Sequence, residues 1–134
     1  MDTLLIGFLH PLHGSDHVIA MLAVGLLAVQ RGRRAGYLLA AAFAGAMPLG
    51  ALAGLLTPDN AFGLRPAVLE IGIALSTLAL AAACLARPLR QHALPLVVLI
   101  VLAGLQHGIA HGNESGAAAV AAALPFMAGM MAST

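Results

Sequence analysis

Charge is what this sequence has least of. Asp, Glu, Lys and Arg make up 8% of its 134 residues and apolar residues 61%, where soluble domains carry about 25% and 45–50%. A chain with so little charge to meet water belongs to the membrane class. The few charges nearly cancel, at +1, and they form no basic run, so neither a nucleic-acid partner nor an anionic-lipid patch is expected. Cysteine occurs once, at Cys84. No intrachain disulfide can form, and a thiol inside an apolar run reads as core filler. Met1 to Leu9 holds Asp2 but no positive residue, and no small-residue cleavage site follows, so no signal peptide is expected. Nor do polar and apolar residues alternate in the ten-residue blocks of a β-barrel. With no Gly/Ser linker or low-complexity tract, residues 1–134 read as a single domain.

What is present comes in continuous apolar blocks of about twenty residues, the length a helix needs to cross a hydrocarbon core. The expected fold is therefore an all-α, polytopic transmembrane bundle with about five spanning helices. They run roughly from Leu4 to Val29, Gly36 to Leu56, Leu64 to Ala86, Ala93 to Gly112 and, somewhat short, Ala117 to Ala132. If the first is continuous, Pro11 leaves the Gly7 carbonyl without its partner and a kink is expected there. Gly50 and Gly54 share a face, as do Gly104, Gly108, Gly112 and Gly116, and such bare faces allow close helix contact. Thr57-Pro58-Asp59-Asn60 reads as a turn. Arg31, Arg33, Arg34, Arg87 and Arg90 fall in the first and third connections, against Arg65 alone on the other side. That bias predicts cytoplasmic first and third connections and an outside N-terminus.

The first block is interrupted by His10-Pro11-Leu12-His13-Gly14-Ser15-Asp16-His17, and the fourth carries His107, His111 and Glu114. An acid at the bilayer centre costs about 2.5–3.5 kcal/mol on insertion scales, so a chain that keeps such groups normally uses them. On one continuous helix His17 would lie about 20° from His10, His13 about 60° away, and Asp16 about 60° beyond His13. His107, His111 and Glu114 share a stripe in the same way. Both stripes must face the bundle interior, because lipid offers them no partner. Imidazole with carboxylate suits Zn, Ni, Co or Fe, whereas Mg and Ca want oxygen ligands and Cu(I) wants sulfur. Glu70, about one turn inside the third block, is a cheaper acid. His92, among the loop arginines, reads as solvated, and the stripe Met127, Met130, Met131 as core filler.

At these residues the sequence resembles the HupE/UreJ family of membrane proteins, regarded as secondary nickel or cobalt permeases that accompany hydrogenase or urease gene clusters. The family's two signatures, HX5DH and HGxAHGxE, stand here as His10 to His17 and as His107-Gly108-Ile109-Ala110-His111-Gly112-Asn113-Glu114. The runs Asp16 to Gly25 and Glu70 to Ser76 are also similar to family segments. The resemblance implies metal recognition by His10, Asp16, His17, His107, His111 and Glu114, with Glu70 a further candidate. Gln106 stands where the family usually has Phe, His13 where it is commonly apolar, and the N-terminal leader and sixth helix of the family are expected to be missing.

The function expected is a permease for Ni2+ or Co2+, with Zn2+ admitted by the donor set, in a bacterial inner membrane. The expected partners are the metal ion and the lipid bilayer, with a second copy of the chain admissible and no organic cofactor. Two alternatives share the residue types. An intramembrane zinc hydrolase would use the histidines for the metal and a carboxylate for its water, but HExxH is absent. A non-transporting accessory protein, with bis-histidine haem or no cofactor, would need a wide pocket that the Gly/Ala faces do not favour.

Overall fold

The computed structural model describes residues 3–56 and 66–115, together with helical positions Pro125, Ala128, Gly129 and Ala132. The described chain is a helical bundle: α1 (Thr3–His13), α2 (Ser15–Arg31), α3 (Arg33–Leu56), α4 (Pro66–Leu85), α5 (Arg87–Gln91) and α6 (Ala93–Ser115). Among the described residues three helical segments are long and apolar enough to cross a membrane, Arg33–Leu56, Ala67–Leu85 and Ala93–Asn113, and the bent pair Leu4–His10 and Ser15–Arg31 would make a fourth. The fifth expected span lies mostly outside the described residues, as do the Thr57 to Asn60 turn, Arg65, Gly116 and the methionine stripe. Where that block is described it is helical, and Gly129 lies so close to α1 that a β-carbon there would collide with the Leu4 carbonyl.

The first block is not one kinked helix. It breaks at Gly14 into segments bent by 70°, and Pro11 stays inside α1. Gly14 is extended (φ −85°, ψ 116°), which ends the α1 hydrogen-bond ladder. Its carbonyl then accepts from the Val18 N–H at 3.1 Å and starts α2. Proline removes one bond, whereas an extended residue redirects the axis. Gly32 ends α2 with φ 82°, a conformation that favours glycine. The connection that carries Arg87 and Arg90 forms the short helix α5, with Pro88 in its first turn. The Arg31 guanidinium donates to the Gln91 carbonyl at 3.1 Å, so the two arginine-bearing connections meet at one end of the bundle.

The most extensive helix pair is α3 with α6. Its glycines interlock: β-carbons at Gly108 and Gly112 would collide with the Met47 and Ala51 carbonyls, and β-carbons at Gly50 and Gly54 with those of Leu105 and Ile109. The fully buried core lies between α2, α3, α4 and α6, around Ala20, Leu27, Leu80, Ile100 and Ala103. Leu22, Val29, Leu38, Leu75, Leu78 and Leu94 point outward, as expected of helices solvated by lipid rather than water.

Candidate metal centre

The 70° bend at Gly14 angles α1 away from the α2 axis, and the C-terminal part of α6 meets both His10 and His17, so the two sequence motifs come together. His111 Nε2 lies 2.6 Å from His17 Nε2, and His10 Nε2 lies 3.1 Å from His111 Nδ1. The His17 and His107 rings meet edge-on with centroids 4.7 Å apart. Asp16 Oδ2 lies 3.3 Å from His17 Nδ1. Gly14 allows this crowding, since a β-carbon there would sit 3.0 Å from Asp16 Oδ1 and 3.3 Å from His17 Nδ1.

One tautomer assignment satisfies the whole chain of bonds. With His17 Nδ1–H directed at Asp16, His17 Nε2 accepts from His111 Nε2–H, and His111 Nδ1 accepts from His10 Nε2–H. His107 is held differently. Its Nδ1–H donates to the Ala103 carbonyl at 2.8 Å one turn back on α6, which leaves Nε2 as a lone pair. That atom is buried without a partner. An orphaned buried acceptor costs about 1–3 kcal/mol, and an imidazole anchored through one nitrogen to a carbonyl is the usual arrangement for metal ligation through the other. Phe43 of α3 also meets the His107 ring edge-on, with centroids 6.0 Å apart.

Ligand atoms of Asp16, His17 and His107 all lie within 4.8 Å of one another. Three donors each about 2.0–2.2 Å from one ion would sit a little closer than that, so a small inward movement is enough. The cluster opens into a cavity of about 280 Å³ lined by Asp16, His17, Leu69, Glu70, Ile73, Ala110, His111 and Asn113.

Five of the sequence candidates, His10, Asp16, His17, His107 and His111, therefore converge, and Glu70 lines the same cavity. Glu114 belongs to α6, but its side chain lies outside the described residues. His13 is not part of the cluster. It is exposed and donates to the Leu9 carbonyl at 2.7 Å on its own helix. The helical wheel that grouped His13 with His17 assumed a helix running through Gly14. Asn113 and Phe43 were not singled out in the sequence; Asn113 stands inside the second motif, whereas nothing in the α3 pattern marks Phe43.

Apolar helices of spanning length enclosing a histidine and carboxylate cluster define a polytopic membrane protein with a metal-compatible interior. The chain belongs to the HupE/UreJ family: the family described as "HupE / UreJ protein" matches residues 1–134. It is 30% identical over 133 residues to Protein HupE of Rhizobium leguminosarum bv. viciae, an alignment covering 99% of this chain and 65% of that protein. The chain thus spans less than two thirds of that relative's length. No solved structure matches it.

Proposed function

We propose that the protein is a permease that takes nickel or cobalt ions across the bacterial inner membrane for hydrogenase or urease maturation, with zinc a competing ion. The observation that carries this reading is the buried, unpartnered Nε2 of His107, a residue with a ligand atom within 4.8 Å of those of Asp16 and His17. Metal enters past Glu70 and Asn113, loses part of its hydration shell to carboxylates and imidazoles, and displaces the His17–His111 hydrogen bond. His10, Asp16, His17, Glu70, His107, His111 and Glu114 are the proposed ligand pool. More donors are available than one ion needs, so the ion can pass from one subset to another, and mixed nitrogen and oxygen ligands hold it less tightly than a closed thiolate site would. Cells expressing the full-length protein should accumulate radiolabelled nickel. A His107→Ala/His111→Ala double substitution should lower uptake by at least the roughly 10–100-fold that losing even an outer-shell partner costs. Uptake that survives this substitution would sink the assignment.

A further inference from the structure

If the permease reading holds, an ion must leave the cluster toward the opposite end of the bundle, where α2 and α4 terminate near the arginines. Two seams lead that way. Below Gln106 the α4–α6 seam is lined by Ala79, Ala82, Ala83, Pro95, Leu96 and Leu99, with no polar side chain. The α2–α4 seam differs. Ile73 lines the metal cavity, and Thr77 and Cys84 follow at four and eleven residues, on the same stripe of α4. Thr77 is buried, at 8% exposure, yet its hydroxyl oxygen has no partner.

A membrane threonine ordinarily satisfies its hydroxyl on the carbonyl four residues back. For Thr77 that is the Ile73 carbonyl, and the Ser76 hydroxyl already donates to it at 3.0 Å. Further along, the Cys84 thiol donates to the Ala23 carbonyl of α2 at 3.4 Å, and the Gln30 side-chain amide donates to the Cys84 carbonyl at 3.4 Å. The buried face of α2 carries His17, Ala20, Ala23, Val24 and Leu27. Thr77 and Cys84 thus put polar atoms at two levels of one α4 stripe, between the cavity and Gln30.

We propose that a metal ion leaving the histidine cluster moves along the α2–α4 seam toward the arginine-bearing end, with the Thr77 hydroxyl as its first resting ligand and the Cys84 thiol as its second. Each level offers a single side-chain donor where the cluster above offers several, and Cys84 would give up its proton to ligate. The path therefore falls from many donors to one, which lets the ion leave the cluster. Ala20 and Leu27 of α2 and Leu80 of α4 are fully buried, so α2 must part from α4 for the ion to pass.

The sequence supplies its own probe, because Cys84 is the only cysteine. In sided membrane vesicles that take up nickel, a cationic methanethiosulfonate reagent applied from the arginine-bearing side should modify Cys84. In a Cys84→Ala background it should modify Thr77→Cys but not the lipid-facing Leu78→Cys. Thr77→Val keeps the side-chain shape, so equilibrium nickel binding by the purified protein should stay within about twofold while uptake falls on the order of tenfold, the worth of a bond to a charged group. Failure to label Cys84 and Thr77→Cys in actively transporting vesicles overturns the route, as does a Thr77→Val protein that transports like the parent. A parent that binds and takes up no metal overturns the permease reading and the route with it, a result recognisable before any Thr77 variant is made.

Discussion

His107 shows how one side chain can be prepared for a ligand before the ligand arrives. Its Nδ1–H is spent on the Ala103 carbonyl and its Nε2 has no protein partner, so the bond within α6 sets the tautomer, while His17 and Phe43 pack against the ring. His17 and His111 instead hold each other and must part to ligate. Gly14 works through space. Its backbone angles suit alanine, but an alanine β-carbon would press on Asp16 and His17, so Gly14→Ala should weaken nickel binding on the order of tenfold while the protein still inserts. Isothermal titration of the purified protein measures this, and unchanged affinity would show that the two side chains relax freely. His13→Ala is the matched control, expected to leave affinity within the roughly 0.5 kcal/mol of an ordinary surface change, because His13 bonds only to its own helix among the described residues. The site was legible in the sequence to the extent that polar groups in lipid are too costly to be idle. Residue identity therefore marked His10, Asp16, His17, His107 and His111. What it could not mark was the pairing of ring nitrogens, which depends on how α1, α2 and α6 cross.

At the scale of elements, α3 and α6 behave as one body. Their glycines receive each other's carbonyls along several turns, a fit that only bare backbone permits. Gly108→Ala should therefore destabilise the bundle by about 1–3 kcal/mol through overpacking. Gly45→Ala, also on α3 but with open space for 4 Å around the point a β-carbon would occupy, should instead gain up to about 1 kcal/mol from helix propensity. Thermal unfolding in detergent separates the two, and equal midpoints would mean that the interlock contributes nothing. The apolar blocks and glycine faces could be read from sequence because each has a length or period fixed by helix geometry. The break at Gly14 could not. Pro11 is the stronger local breaker, and the turn is instead set three residues later at Gly14, where the chain bends by 70° and His10 and His17, on either side of it, both meet α6. With α3 and α6 fixed to each other, motion that changes the His17–His111 distance falls to α1, α2 and α4.

For the whole molecule the question is which aqueous side the cavity faces. His17 and Arg31 are separated along α2 by about 21 Å at roughly 1.5 Å per residue, most of a hydrocarbon core of about 30 Å. The bond from Arg31 to Gln91 gathers the first and third connections at the same end, away from the histidine cluster. Since arginines are retained on the cytoplasmic side, the cavity with Glu70 at its mouth would open outward, and the α2–α4 seam would discharge inward. A reporter that is active only in the cytoplasm, inserted between Arg87 and His92, should therefore be active, and alkaline phosphatase inserted at the same point inactive. Replacing Arg31, Arg33, Arg34, Arg87 and Arg90 with Gln leaves Arg65 as the remaining arginine. The bias then reverses, and a large share of molecules should expose the reporter outside, with nickel uptake falling in proportion. A reporter that stays cytoplasmic in that variant would show that the arginines do not set orientation. In that case the outward-facing cavity would need a different anchor, which the polar mouth around Asp16 and Glu70 could supply only by resisting transfer to the cytoplasmic side.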